Sequence, residues 1–322
     1  MIHIPKTSGS SFIHFYGLGD TTALGSTMKA CETHIDSHWP RIAQVTDPRW
    51  VKFKNGECNF ISTHDTLHHA IEAISAVKRV SPSIVFTSLR DPLERLISLY
   101  AFGCCTVHSC VGNGANKMCE EWVPEAIRKH GLKALVDDKL CPRRDCEWVV
   151  SLNSIPAYGN ILTWAFQDYS GAEDKGKDES EKLPYLSGHS EEGVLSAKAR
   201  IETLDVIMLT EYNEESVCLF YWIVGKKLVG EERSPFLKAF NEECRVDSTG
   251  FANRDSIKSR SRNLSPHGDR LGYDLQKGIT RGMLNEISIY KHGVSIFCRQ
   301  MQEMVVESGI GFPRINMLCA QY

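Results

Sequence analysis

The chain has 322 residues, 42% hydrophobic and 24% charged, with a formal net charge of -3. That is ample material for one large α/β core with insertions, and the slight acidic excess excludes a general nucleic-acid binder, which would carry a basic surplus. No stretch approaches the ~20 consecutive apolar residues that span a bilayer, and no charged region followed by an apolar one marks a secretory signal, so membrane contact is expected only through an anchor upstream of Met1.

In chain order, Met1 to Phe12 predict a short buried strand, a small-residue loop and a helix opening at Ser10 or Ser11. Lys6, Thr7, Ser8, Gly9, Ser10, Ser11 and Phe12 thereby form an anion cradle. Backbone N–H groups of the loop converge on one point, the helix adds the positive end of its dipole, and Lys6 adds a full charge. The expected guest is a phosphate or a similar group. A nucleoside-triphosphate loop needs its lysine after the glycines, whereas Lys6 precedes Gly9. Residues 20 to 56 show little periodicity and read as a surface-rich connection.

Two further segments repeat the strand-then-polar pattern. Cys58 to Ser62 predicts a strand followed by His64 and a helix from near Thr66, and Ile84 to Leu89 predicts another, ending in Arg90, Asp91 and Pro92. In an open α/β sheet ligands bind beyond the carboxyl ends of the strands, so Lys6, His64 and Arg90 would converge on one crevice if these strands are parallel neighbours. Asp91 is a good N-cap and Pro92 a good first helical residue. On that helix Asp91, Arg95 and Ser98 share a face, so Arg90 with Ser98 would hold a second anion, and Arg95 is expected at the surface or paired along the helix with Asp91.

Six of the twelve cysteines crowd residues 102–150, where a helical stretch runs from about Glu120 to Asp138. Disulfides formed in an oxidising lumen rank first for the cysteines, free buried thiols second, and a zinc site from Cys104, Cys105, His108 and Cys110 last, because adjacent cysteines fit poorly with the usual metal-ligand spacing. Residues 170–192 form a charged Gly/Ser-containing loop, expected to be mobile. A helix over Val194–Thr203, a strand over Asp205–Leu209 and a helix over Asn213–Lys227 follow, the last expected to be largely buried. A final helix near Gly282–Glu307 places Leu284, Ile287, Tyr290, Val294, Phe297, Met301 and Met304 in a stripe expected to be core without chemistry. Alternating strand and helix signals favour a parallel sheet in a single domain over 1–322.

Pro5–Phe12 resembles the 5′-phosphosulfate loop of the sulfotransferases, and Leu89–Tyr100 resembles their 3′-phosphate motif. The likeness is to carbohydrate sulfotransferases of the heparan sulfate 6-O- and 2-O-type. Ile61–His64 is similar to the strand bearing that family's catalytic histidine, Asn160–Trp164 to an N-x-x-T-R segment, and Leu209–Tyr212 to a late strand-to-helix segment. Ser8 stands where a glycine is frequent and Trp164 where arginine is. The resemblance implies an α/β, P-loop-like three-layer fold, a central mostly parallel sheet flanked by helices, with the Cys-rich segment as an insertion. It also implies 3′-phosphoadenosine 5′-phosphosulfate as donor, a carbohydrate hydroxyl as acceptor and a place in the Golgi lumen, with the cytoplasm as the alternative. The basic run Ser256–Asn263 is either a solvated loop or a segment closing over the donor nucleotide.

Sulfuryl transfer needs a base for the acceptor proton and fixed donors for the leaving phosphate. His64 suits the first task, with His68 and His69 as alternatives one turn on, and Lys6 with the loop N–H groups suits the second; no metal is required. The competing expectations are a small-molecule alcohol or phenol sulfotransferase, a P-loop nucleotide kinase, and a non-catalytic carbohydrate-binding relative.

Overall fold

The computed structural model describes residue 31 and residues 48–60, 67–75, 83–95, 161–166, 191–244 and 283–322. Among the described residues the helices are α1 (Pro48–Lys54), α2 (Leu67–Ser75), α3 (Ile161–Phe166), α4 (Glu191–Ile201), α5 (Asn213–Lys227), α6 (Ser234–Glu243), α7 (Leu284–Ser308) and α8 (Pro313–Cys319). Two strands, β1 (Phe86–Leu89) and β2 (Val206–Leu209), pair in parallel with Phe86 opposite Val206 and Leu89 opposite Leu209. A parallel pair requires a long crossover, and here the chain from Arg90 to Asp205 supplies it.

All four residues of each strand are buried, so both faces of the pair are covered. β2 accordingly reads as a continuous apolar run, Val206 to Leu209, whereas β1 buries the hydroxyl residues Thr87 and Ser88 between Phe86 and Leu89. Helices α5 and α7 pack on β2. The outer edge of β2 is occupied by side chains: Gln300 of α7 accepts from the Ile207 amide at 3.2 Å and donates to the Asp205 carbonyl at 2.9 Å. Ser216 of α5 accepts from the Leu209 amide and donates to its carbonyl. An amide and a hydroxyl thus stand where the backbone of a further strand would pair, which blunts that edge. At the other end, Asp205 precedes the strand and its carboxylate accepts from the Val85 amide at 2.6 Å.

Helix α5 matches its expected bounds, and its residues Glu215 to Gly225 are all buried. Helix α7 runs 25 residues and ends at Gly309, whose φ of 72° provides the left-handed cap that closes Gly309 N–H onto the Val305 carbonyl. Gly293 lies mid-helix for a different reason. A methyl group there would overlap the Leu89 side chain, so the glycine lets α7 cross directly over the last residue of β1. Glu286, Tyr290, Gly293 and Phe297 follow i, i+4, i+7, i+11, so this crossing brings Glu286 and Tyr290 to the carboxyl end of the strands.

Val294, Phe297, Met301 and Met304 of the expected α7 stripe are core and Tyr290 packs against it, so the expectation needs correction at its start and beside it. Leu284 is 62% exposed, and the buried set on this helix includes Glu286. An apolar period cannot reveal a carboxylate at a core position.

All six cysteines among the described residues are paired: Cys31–Cys58, Cys218–Cys244 and Cys298–Cys319, with Cα atoms 5.1, 5.7 and 5.4 Å apart. The second ties α5 to the end of α6, and the third ties α8 to α7. Cys104, Cys105, Cys110, Cys119, Cys141 and Cys146 lie outside the described residues. Peptide mapping without reductant is expected to recover these three cross-links, and reduction to lower the thermal midpoint, since closing loops of this size stabilises by about 3 kcal/mol each. Alkylation of Cys218 or Cys298 in the native, unreduced protein would contradict the pairing.

Candidate functional site at the carboxyl ends of the strands

β1 ends at Leu89 and β2 at Leu209, and the next residues, Arg90 and Thr210, emerge side by side. The Ser88 and Thr210 hydroxyls lie 3.4 Å apart, both buried. After Arg90 the chain turns into a helix at 92–95. Asp91 caps it, its Oδ1 accepting from the Leu93 and Glu94 amides at 3.0 and 3.1 Å, as a carboxylate at an N-cap should. Arg90 is buried, 7% exposed, and its guanidinium stands 3.6 Å from the Glu94 carboxylate one turn on.

Glu211, in the short turn Thr210–Tyr212 after β2, reaches back across the strand ends. Its Oε1 accepts from the Asp91 amide at 2.6 Å, and Tyr290 O–H donates to its Oε2 at 3.4 Å. Its own carbonyl accepts from Arg314 Nη2 at 3.1 Å. Arg314 is the second residue of α8; it also pairs with Glu215 at 3.3 Å and lies over the Tyr212 ring, 5.2 Å from its centroid. Burial pushes the Glu211 carboxyl above its ordinary range, against the lowering effect of the Asp91 amide and Arg90. Burial also raises the Tyr290 phenol, and the negative charge of Glu211 adds to it, which keeps that phenol a donor.

Beneath this layer lies a buried ion pair. Arg95 and Glu286 are both fully buried and meet at 3.4 Å. Glu286 Oε1 also accepts from the Leu162 amide at 2.6 Å, and the Thr163 amide contributes, so one carboxylate of α7 anchors both the 92–95 turn and the start of α3. Burial pushes Glu286 up to about 7, opposed by Arg95 and by these amides. This corrects the expectation for Arg95. It neither lies at the surface nor pairs with Asp91, because α7 presents a carboxylate to the interior at the level where Arg95 turns inward.

Of the residues singled out in the sequence, Arg90 stands where expected, one residue past a parallel strand and beside an Asp-capped helix. Lys6, Thr7, Ser8, Gly9, Ser10, Ser11, Phe12, His64 and Ser98 lie outside the described residues. His68 is the second residue of α2, half-buried, with its Nδ1 3.4 Å from Arg200 Nη2. Sequence reasoning missed Glu211, Glu286, Tyr290 and Arg314 as parts of one cluster. Glu211 alone had a signal, an acid two residues past the end of a fully apolar strand.

Among the described residues no group of three His, Cys, Asp or Glu side chains has the arrangement of a metal site, and no helix is long and apolar enough to cross a membrane. No family model, curated protein or solved structure matches the chain.

Proposed function

We propose that the chain is a sulfotransferase that moves a sulfuryl group from 3′-phosphoadenosine 5′-phosphosulfate to a carbohydrate hydroxyl. The observation that supports this most is the placement of Arg90, one residue past the carboxyl end of a parallel strand and beside an Asp-capped helical turn, which is where an open α/β sheet would bind an anion.

In the reaction, the acceptor oxygen attacks sulfur and its proton passes to His64. The new O–S bond forms as the bond from sulfur to the 5′-phosphate oxygen breaks. The electron pair leaves with adenosine 3′,5′-bisphosphate, whose growing charge meets Lys6 and the loop amides. No step is assigned to a metal. The carbohydrate acceptor and the Golgi lumen are favoured over a cytoplasmic small-molecule acceptor by the three disulfides, which persist in oxidising compartments.

Incubation with donor carrying labelled sulfate, across a panel of glycans and small alcohols or phenols, tests this reading. Label is expected on a glycan. Label only on a phenol would move the protein to the small-molecule class, and no transfer to any acceptor would contradict the proposal.

A further inference from the structure

Building on the sulfotransferase reading, we propose that Glu211 is a positioning residue for donor binding, acting through Arg90 by fixing the backbone of the residue that follows it. Arg90 is held from one side by the strand ladder, which ends at the Leu89–Leu209 pair. On its other side, the Asp91 amide is the first group free to turn away, and Glu211 Oε1 takes it at 2.6 Å. Asp91 Oδ1 is itself engaged by the Leu93 and Glu94 amides, and the acceptor for the Asp91 N–H comes from Glu211.

Glu211 is in turn fixed at both ends, its second carboxylate oxygen by Tyr290 and its carbonyl by Arg314. These partners come from α7 and α8, which the Cys298–Cys319 bridge joins. The direction in which the Arg90 side chain leaves the strand is therefore set through the Asp91 amide, by a carboxylate 120 residues from Asp91 in sequence. Removing that carboxylate leaves the Asp91 amide without this acceptor in a largely buried place and lets the turn at 90–92 relax. The guanidinium would then meet a phosphate from a wrong angle, and bidentate contact depends on angle.

Calorimetric titration with adenosine 3′,5′-bisphosphate is run on the wild type and on Glu211→Ala, Glu211→Gln, Arg90→Ala and the double variant. Glu211→Ala is expected to bind on the order of tenfold more weakly, the size set by one charge-assisted hydrogen bond. Glu211→Gln is expected to stay close to wild type, because the amide oxygen still accepts from Asp91 N–H. The double variant should bind no more weakly than Arg90→Ala alone, since a residue acting through Arg90 has nothing left to position.

Wild-type affinity in Glu211→Ala, or a full additional loss in the double variant, would overturn the role of Glu211 while leaving the donor assignment intact. Failure of the wild type to bind the bisphosphate would overturn the donor assignment and this role with it. Should Glu211→Ala not fold, hydrogen exchange at the wild-type Asp91 amide decides. Slower exchange on adding the bisphosphate supports the role, and exchange unmoved by a bound ligand overturns it.

Discussion

Glu286→Ala is expected to lower the unfolding free energy by about 3–5 kcal/mol, because it leaves the charge of Arg95 buried without its carboxylate. It also removes the acceptor of the Leu162 amide, so the start of α3 and the 92–95 turn loosen together. A paired replacement, Arg95→Met with Glu286→Leu, should recover much of the loss, since well-packed apolar groups often match or exceed a buried ion pair.

Glu286→Gln separates charge from shape. In the folded protein the Glu286 carboxyl is raised from 4.5 to about 7, mainly by burial. Between those values the folded state holds a proton that the unfolded state has released. The stabilisation this group contributes is therefore complete below about pH 4.5 and is lost as pH rises through about 7. Chemical denaturation across that window should show the wild type gaining on Glu286→Gln as pH falls. A difference between the two proteins that stays constant from pH 4.5 to 7 would contradict a Glu286 carboxyl raised by burial.

His64→Ala should cut turnover by ~10²–10⁴-fold while leaving donor affinity nearly unchanged, because a general base contributes only as the acceptor proton moves. The acid limb of the rate profile should vanish in the same variant. His68 is the sharpest rival, and its surroundings bear on the choice: its Nδ1 faces Arg200 of α4, a contact suited to bracing α2 against α4. His68→Ala is accordingly expected to change stability more than turnover. Near wild-type turnover in His64→Ala, with loss in His68→Ala or His69→Ala, would transfer the base to α2.

Of the described framework, α2, α4, α5, α7 and the two strands are legible in the sequence, whereas α1, α3, α6 and α8 are not, being short or weakly periodic. Asn213–Lys227 was readable because nearly every position from Val217 to Val224 is apolar, and the 84–89 and 205–209 runs because both faces of their strands are covered. The strands proper are shorter, since Ile84 and Val85 are only partly buried and Asp205 serves as a side-chain acceptor ahead of β2. Arg90 and the Asp91 cap were legible because capping is local chemistry. What could not be read is everything that depends on long-range pairing. Glu286 lies 191 residues from Arg95 and Gln300 lies 93 from Ile207, and no local pattern encodes either meeting. Gly293 looks like a defect in a helix until Leu89 is found beneath it.

The most direct measurement is calorimetric titration of the unmodified protein with adenosine 3′,5′-bisphosphate and, separately, with ATP and Mg²⁺. The bisphosphate is expected to bind the more tightly, with its 5′-phosphate on the Lys6–Ser11 loop and its 3′-phosphate at Arg90 and Ser98. Arg90→Ala should weaken it by about one to two orders of magnitude, the cost of a hydrogen bond to a charged group. ATP binding at least as tightly as the bisphosphate, or a bisphosphate affinity unchanged in Arg90→Ala, would contradict the sulfotransferase assignment.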